Sequence, residues 1–185
     1  IPHGGSTVFY DVNNNGLQDP LNPLESGVPG VPVNLLADLD NDTQIDDIVA
    51  SVVTDANGDY YFPNLPPGQY QVQIPTPPTQ SPVSSTLNSP DNQTDGDDNG
   101  AQVGSGNPIT SPVITLTEGG EPTTEPNQGG TQDDTNDSSG DMTVDFGLVP
   151  NMSLGSTVFY DRNNDGLQVG VLETGISGVG IQLFY

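Results

Sequence analysis

The stretch Gly5 to Gln18, GSTVFYDVNNNGLQ, returns at Gly155 to Gln168 as GSTVFYDRNNDGLQ, with changes only at Val12/Arg162 and Asn15/Asp165. A chain that restarts its opening segment after roughly 150 residues is built from tandem units rather than one continuous core. Each copy joins a β-branched and aromatic run to an oxygen-rich loop of the form D-x-N-x-[ND]-G. Side-chain oxygens at alternate positions, with glycine at the sharp turn, form the spacing that wraps Ca²⁺. The spacing predicts a first metal loop on Asp11, Asn13, Asn15 and the Leu17 carbonyl, closed by Asp19 or Glu25. In the second copy the corresponding set is Asp161, Asn163, Asp165, Leu167 and Glu173. Strand-formers precede both loops and no helical pattern follows, so an ordinary helix–loop–helix calcium site is not expected.

Charge narrows the function classes. The chain carries 25 acidic residues and one basic residue, Arg162, for a formal charge of −24, and has no lysine. Phosphate binding needs Lys and Arg to displace counterions, so nucleic acid is not an expected partner, and anionic membrane surfaces are excluded likewise. No run approaches the length of a membrane span. Leu, Ile, Val and Phe make up 45 of the 185 residues, just above the level at which acidic chains stay disordered. Gly and Pro make up 41, which suits a β protein rich in turns. Cysteine is absent, so neither disulfides nor thiolate metal sites are available.

Short strand signals then follow at even spacing: Ser6 to Tyr10, Val31 to Leu35, Ile48 to Thr54, Tyr60 to Phe62, Tyr70 to Ile74, Val113 to Leu116 and Met142 to Leu148. Asn57-Gly58 reads as a hairpin turn. Seven such strands suit an immunoglobulin-like β-sandwich, all-β, with long acidic loops. Pro75 to Pro112 and Glu118 to Asp141 read as long polar loops. Residues 1–148 are expected to form a complete repeat, 149–154 a short linker, and 155–185 the first strands of a second, incomplete one. Those strands would continue in the chain or pair with a neighbouring subunit.

Two further acidic loops are candidate cation sites. Asp38, Asp40, Asp42, Gln44, Asp46 and Asp47 alternate oxygen donors. Like charges ~4 Å apart cost ~1 kcal/mol each in water and ~4 kcal/mol at an effective dielectric of 20, which favours a bound ion. Asp91, Asp95, Asp97 and Asp98 form a third cluster, and Asp133, Asp134, Asp137 and Asp141 a fourth that reads as solvated. Asp55 and Asp59 either join the site of the second loop or flank the Asn57-Gly58 turn, and the turn is the preferred reading. His3 is the only histidine, so no Ser-His-Asp or Cys-His arrangement can be assembled, and catalysis is not expected. Sequons at Asn41, Asn92, Asn136 and Asn151 permit attached glycans.

Several segments together carry a family resemblance. The opening GSTVFYD with its metal loop, Gly27 to Val33 (GVPGVPV), Thr54 to Phe62 (TDANGDYYF), Leu65 to Val72 (LPPGQYQV), Ser111 to Thr117 (SPVITLT) and Val144 to Gly147 (VDFG) resemble the SdrD B-like repeats of bacterial surface proteins. Coverage is nearly the whole first repeat. The resemblance implies a Cna B-type, prealbumin-like sandwich with bound Ca²⁺, placed outside the cell or on a bacterial surface as a stalk or adhesin. In the family pattern an acidic ligand closes the first loop at its twelfth position; here that position is Asn22, and Glu25 aligns only if residues near Leu21 to Leu24 are inserted. Relatives of this fold that form Lys–Asn cross-links have no counterpart here, since lysine is absent. The expectation is thus a Ca²⁺-rigidified sandwich that stacks with neighbouring repeats or identical subunits into a stalk or fibre. The rival reading is a ligand-binding adhesin or carbohydrate-binding module.

Overall fold

Alternating apolar positions dictate two sheets facing one another, and these are what the structure, a computed structural model, contains. It describes residues 3–86, 94–123, 140–169 and 171–184. The chain divides into two compact units, Ile1–Asn151 and Met152–Tyr185.

In the first unit the described strands are β1 (His3–Tyr10), β2 (Pro32–Ala37), β3 (Asp47–Val53), β4 (Asp59–Phe62), β5 (Gly68–Ile74), β6 (Val83–Ser84), β7 (Ala101–Gln102), β8 (Ile109–Thr110), β9 (Ile114–Leu116), β10 (Gly140–Asp141) and β11 (Phe146–Val149). One sheet has the order β10-β1-β11-β6, with β4 also on β1; the other has the order β3-β2-β5-β8-β7, with β9 also on β5. Strand β1 is shared along its length. Gly4 to Thr7 pair antiparallel with β4, whereas Val8 to Tyr10 pair parallel with β11. Val8, Val33, Leu35, Phe62, Ile74, Ile109, Phe146 and Leu148 are almost wholly buried between the sheets. The result is the all-β, immunoglobulin-like sandwich that seven alternating strands predict.

Two local expectations change. The Asn57-Gly58 turn is present, but it does not make a hairpin, because β3 pairs with β2 and β4 pairs with β1. It is a corner between sheets, held by the Asp55 carboxylate, which accepts from Asn57 N (2.7 Å) and Asp59 N (3.1 Å). Gly27 and Gly58 pack directly here: a Cβ on Gly27 would sit 1.5 Å from the Asn57 carbonyl oxygen. The segment from Pro75 to Pro112 is also less irregular than its composition suggests, since β6, β7 and β8 lie within it. Its short strands escape a periodicity search because two residues carry no alternation.

The second unit repeats the opening geometry of the first. Tyr160 N donates to Thr174 O at 3.1 Å and Ile176 N to Val158 O at 2.7 Å. In the first unit Tyr10 N donates to Ser26 O at 3.0 Å and Val28 N to Val8 O at 2.7 Å.

Candidate metal centres

A single hydrogen-bond scaffold recurs in three acidic loops. In the first, the Asp11 carboxylate accepts from Asn15 N (3.2 Å) and Gly16 N (2.7 Å), and Asn15 Oδ1 accepts from Leu17 N (2.9 Å). In the second unit, Asp161 accepts from Asp165 N (3.2 Å) and Gly166 N (2.8 Å), and Asp165 Oδ1 from Leu167 N (2.8 Å). The loop after β2 does the same: Asp38 accepts from Asp42 N (3.2 Å) and Thr43 N (3.1 Å), and Asp42 Oδ1 from Gln44 N (2.8 Å). Backbone angles agree as well. The fourth position is left-handed in each, at Asn14 (φ 55°), Asn41 (61°) and Asn164 (58°), and so is the sixth, at Gly16 (79°), Thr43 (75°) and Gly166 (78°). The short polar side chain of Asn tolerates that region and glycine is at home in it. Thr43 is neither, so the second loop holds a β-branched residue in a strained conformation.

The candidate closing acids of the Asp11 and Asp161 scaffolds also correspond. Glu25 Oε2 accepts from Asp19 N (2.8 Å), Oε1 from Asn22 Nδ2 (3.1 Å), and its carbonyl from Gln18 Nε2 (3.1 Å). Glu173 Oε2 accepts from Val169 N (2.7 Å), Oε1 from Arg162 N (3.3 Å), and its carbonyl from Gln168 Nε2 (3.0 Å). Both glutamates are buried although the two loops differ in length. The residues between Asp19 and Glu25 are therefore taken up as an extra turn, with Asn22 N on Asp19 O and Glu25 N on Asn22 O. Asn13, Asn15, Leu17 and Asp19 face solvent, whereas Asp11 is buried.

In the second loop, Asp38, Asp40 and Asp47 each place a carboxylate oxygen within 4.8 Å of the others. Oxygens bound to one Ca²⁺ at about 2.4 Å stand at most about 5 Å apart, so this spacing fits such an ion. Asp47 Oδ2 also accepts from Leu39 N at 2.9 Å. Asp46 is exposed, and its carboxyl is raised by desolvation and then by the charges of Asp42, Asp47, Asp40 and Asp38.

The third cluster divides. Asp91 lies outside the described residues, as do Asp133, Asp134 and Asp137 of the fourth. Asp97 and Asp98 are buried and Asp95 is half-buried. This segment is bonded to the first loop: Gln18 N donates to Gly96 O and Asp98 N to Gly16 O, both at 2.8 Å. It is bonded equally to the closing strand, and here lies what sequence reasoning missed. Asp145 is completely buried and accepts from Thr7 N (3.0 Å) and Gly96 N (2.7 Å). Asn99 and Asp145 exchange bonds, Asn99 N to Asp145 O (3.0 Å) and Asp145 N to Asn99 Oδ1 (2.8 Å). Asp141, read as solvated, is also fully buried, with Thr143 Oγ1 on its carboxylate at 2.8 Å. The available signal was an aspartate inside the apolar run VDFGLV.

Burial perturbs these acids. Asp98 is pushed up to about 7 by desolvation, against the lowering effect of bonds from Gly100 N, Gly147 N, Ser85 and Ser84. Desolvation, followed by the charge of Asp95, pushes Asp145 well above the carboxylate range. No Lys or Arg occurs before Arg162, so no buried acid of the first unit can pair with a Lys or Arg of that unit. Protons, backbone N–H groups, side-chain hydroxyls such as those of Ser85 and Thr143, or a metal ion must supply the compensation.

Comparison with known proteins agrees with the fold. A family model described as the SdrD B-like domain matches residues 3–148. Serine-aspartate repeat-containing protein D of Staphylococcus aureus (strain Newman) is 34% identical over 181 residues, covering 97% of this chain and 11% of the relative. Serine-aspartate repeat-containing protein C of the same strain is 33% identical over 181 residues, covering 97% of this chain and 15% of the relative. The chain thus spans only a small fraction of the curated relatives it matches.

Proposed function

The chain belongs to the SdrD B-like domain family, whose members are extracellular surface domains, and on that premise we propose that it is a calcium-rigidified spacer of a stalk or fibre. Its place is the cell surface or the extracellular space. The observation that carries the reading is the scaffold repeated at Asp11, Asp38 and Asp161. In all three loops, backbone N–H groups hold the first aspartate and two left-handed residues turn the loop on itself.

Residues that would hold Ca²⁺ are Asp11, Asn13, Asn15, the Leu17 carbonyl and Glu25 or Asp19 in the first loop, and Asp38, Asp40 and Asp47 in the second. Asp95, Asp97 and Asp98, joined by Asp145, would serve a third site, and Asp161, Asn163, Asp165, Leu167 and Glu173 the loop of the second unit. A bound divalent cation offsets the charge of carboxylates that otherwise repel one another. In the first unit it would tie β1, the segment at 94–100 and β11 into one body.

Stiffness would pass to the next repeat through Asn151. Its N donates to Gln80 O (2.8 Å) and its Nδ2 to Thr79 O (2.9 Å), which fixes the exit of the chain on the sandwich. A glycan on Asn151 would compete with the second bond. Neighbouring repeats or identical subunits are the partners this role requires, and it requires no catalysis.

Heating the chain with Ca²⁺ and with excess chelator tests the reading. A site saturated a hundredfold over its Kd stabilises by about 2.7 kcal/mol, so several sites together give a melting temperature clearly lower in chelator. An unchanged melting temperature would sink the proposal.

A further inference from the structure

Strand β2 leaves β5 early, and the departure opens a cleft. The register between them runs from Asn34↔Gln73 to Leu36↔Gln71 and ends there, while β5 continues back through Tyr70, Gln69 and Gly68, paired on its other side with β9. Beyond this point β2 follows β3 into the acidic loop. The space left between that loop and the start of β5 has a volume of about 720 Å³.

The cleft presents a strand edge. Val72 N donates to Ser111 Oγ and Val72 O accepts from Ser111 N, both at 2.9 Å, so the peptide groups of Val72 face away from β2. Successive residues of a strand turn their N–H and C=O to opposite sides. Gln71 and Gln69 therefore face the β2 side, and at Gln69 that side is the cleft. Leu39, Ile45 and Val113 supply apolar walls, with Leu39 63% and Val113 49% exposed. Asp38 lines the cleft too, and Asp40, Asp42, Asp46 and Asp47 share its loop.

We propose that this cleft binds an extended, basic peptide segment of another protein by adding a short strand beside Gln69. Peptide N–H and C=O groups of the ligand pair with Gln69, as in other strand additions. An apolar side chain of the ligand rests on Leu39 and Val113, and a Lys or Arg on a neighbouring position meets the acidic loop. Charge complementarity selects this occupant of the cleft over a second copy of the chain, which has no lysine and only Arg162 to offer the acidic loop. The inference does not rest on the calcium reading, since one divalent ion leaves a loop of five carboxylates still net negative.

The test titrates the isotope-labelled 185-residue chain with a blocked octapeptide of alternating Val and Lys, followed by amide NMR at physiological salt. The expected result is saturable shifts at Leu39, Ile45, Gln69 and Val113, weakened at least about tenfold by Val113→Arg, which places like charge in the wall. Leu39→Lys is the second variant, should Val113→Arg fail to fold, with the same weakening expected. Three results would each overturn the proposal. One is shifts spread over every acidic loop without saturation. Another is equal affinity for an octapeptide of alternating Gly and Lys, and the third is unchanged affinity in the folded variant. A neutral oligosaccharide shifting the same amides, with the Val-Lys peptide silent, would assign the cleft to glycans instead.

Discussion

Replacing Asp98 by asparagine should make the chelated protein less sensitive to pH, and the structure gives the size of the effect. Asp98 is fully buried, and its carboxyl is raised from 3.8 to about 7, chiefly by desolvation. Between these values the folded chain keeps a proton that the unfolded chain has released. Stability therefore falls as pH rises from about 4 to about 7 and is level on either side, with a total change of about 4 kcal/mol from this one group. Asparagine imitates the protonated acid. Its Oδ1 can still accept from Gly100 N (2.9 Å) and Gly147 N (3.1 Å), and its amide can donate to Ser85 Oγ, which lies 2.9 Å from Asp98 Oδ2. Urea unfolding in chelator at pH 5 and pH 8 measures the difference. The variant should gain stability over the native chain at the higher pH and match it more closely at the lower. Some slope will remain, because Asp145 is raised in the same direction. With Ca²⁺ present the sign should reverse, since a cation at this cluster favours the carboxylate and Asp98→Asn removes one donor. An identical pH dependence of native and variant chains in chelator would refute the account of Asp98.

Thr43→Gly should raise stability by up to about 1 kcal/mol, because it removes a β-branched residue from φ 75° while glycine returns part of the gain as unfolded-state entropy. A lower urea midpoint at unchanged slope would show that the threonine is not strained. Gly27→Ala should abolish folding, since its Cβ would lie 1.5 Å from a backbone oxygen; a native-like amide spectrum would contradict the packing of that corner.

The sandwich was legible because its long strands obey one rule. Val31, Val33 and Leu35, and likewise Tyr70, Val72 and Ile74, alternate in the sequence and are buried in the structure. The corner at Asn57-Gly58 was legible as a turn but not as a crossing between sheets, since the same residues serve a hairpin. Pairing depends on which strand arrives from far away, here β1 onto β4, and local sequence does not encode that. The turns of the first and second acidic loops were readable because their hydrogen bonds run between residues close in sequence. Asp145 was not readable. Its bonds run to Thr7, Gly96 and Asn99, in segments far apart along the chain, and an aspartate in an apolar strand looks locally like an error.

That buried aspartate alters what the opening repeat does. Taken alone, GSTVFYD followed by NNNG is a strand with a cation loop at its end. In the folded unit Thr7 N reaches Asp145, Asp11 N reaches Leu148 O, and Gly16 O receives Asp98 N. The opening strand, the 94–100 segment and the closing strand therefore meet at a group of acids that no lysine or arginine of the first unit can neutralise. A chain without Lys or Cys cannot secure its last strand to its first by a Lys-based cross-link or a disulfide. On the proposed calcium reading, carboxylates placed where those strands converge would give a cation the same task, and the unit's rigidity would depend on what the surrounding medium supplies.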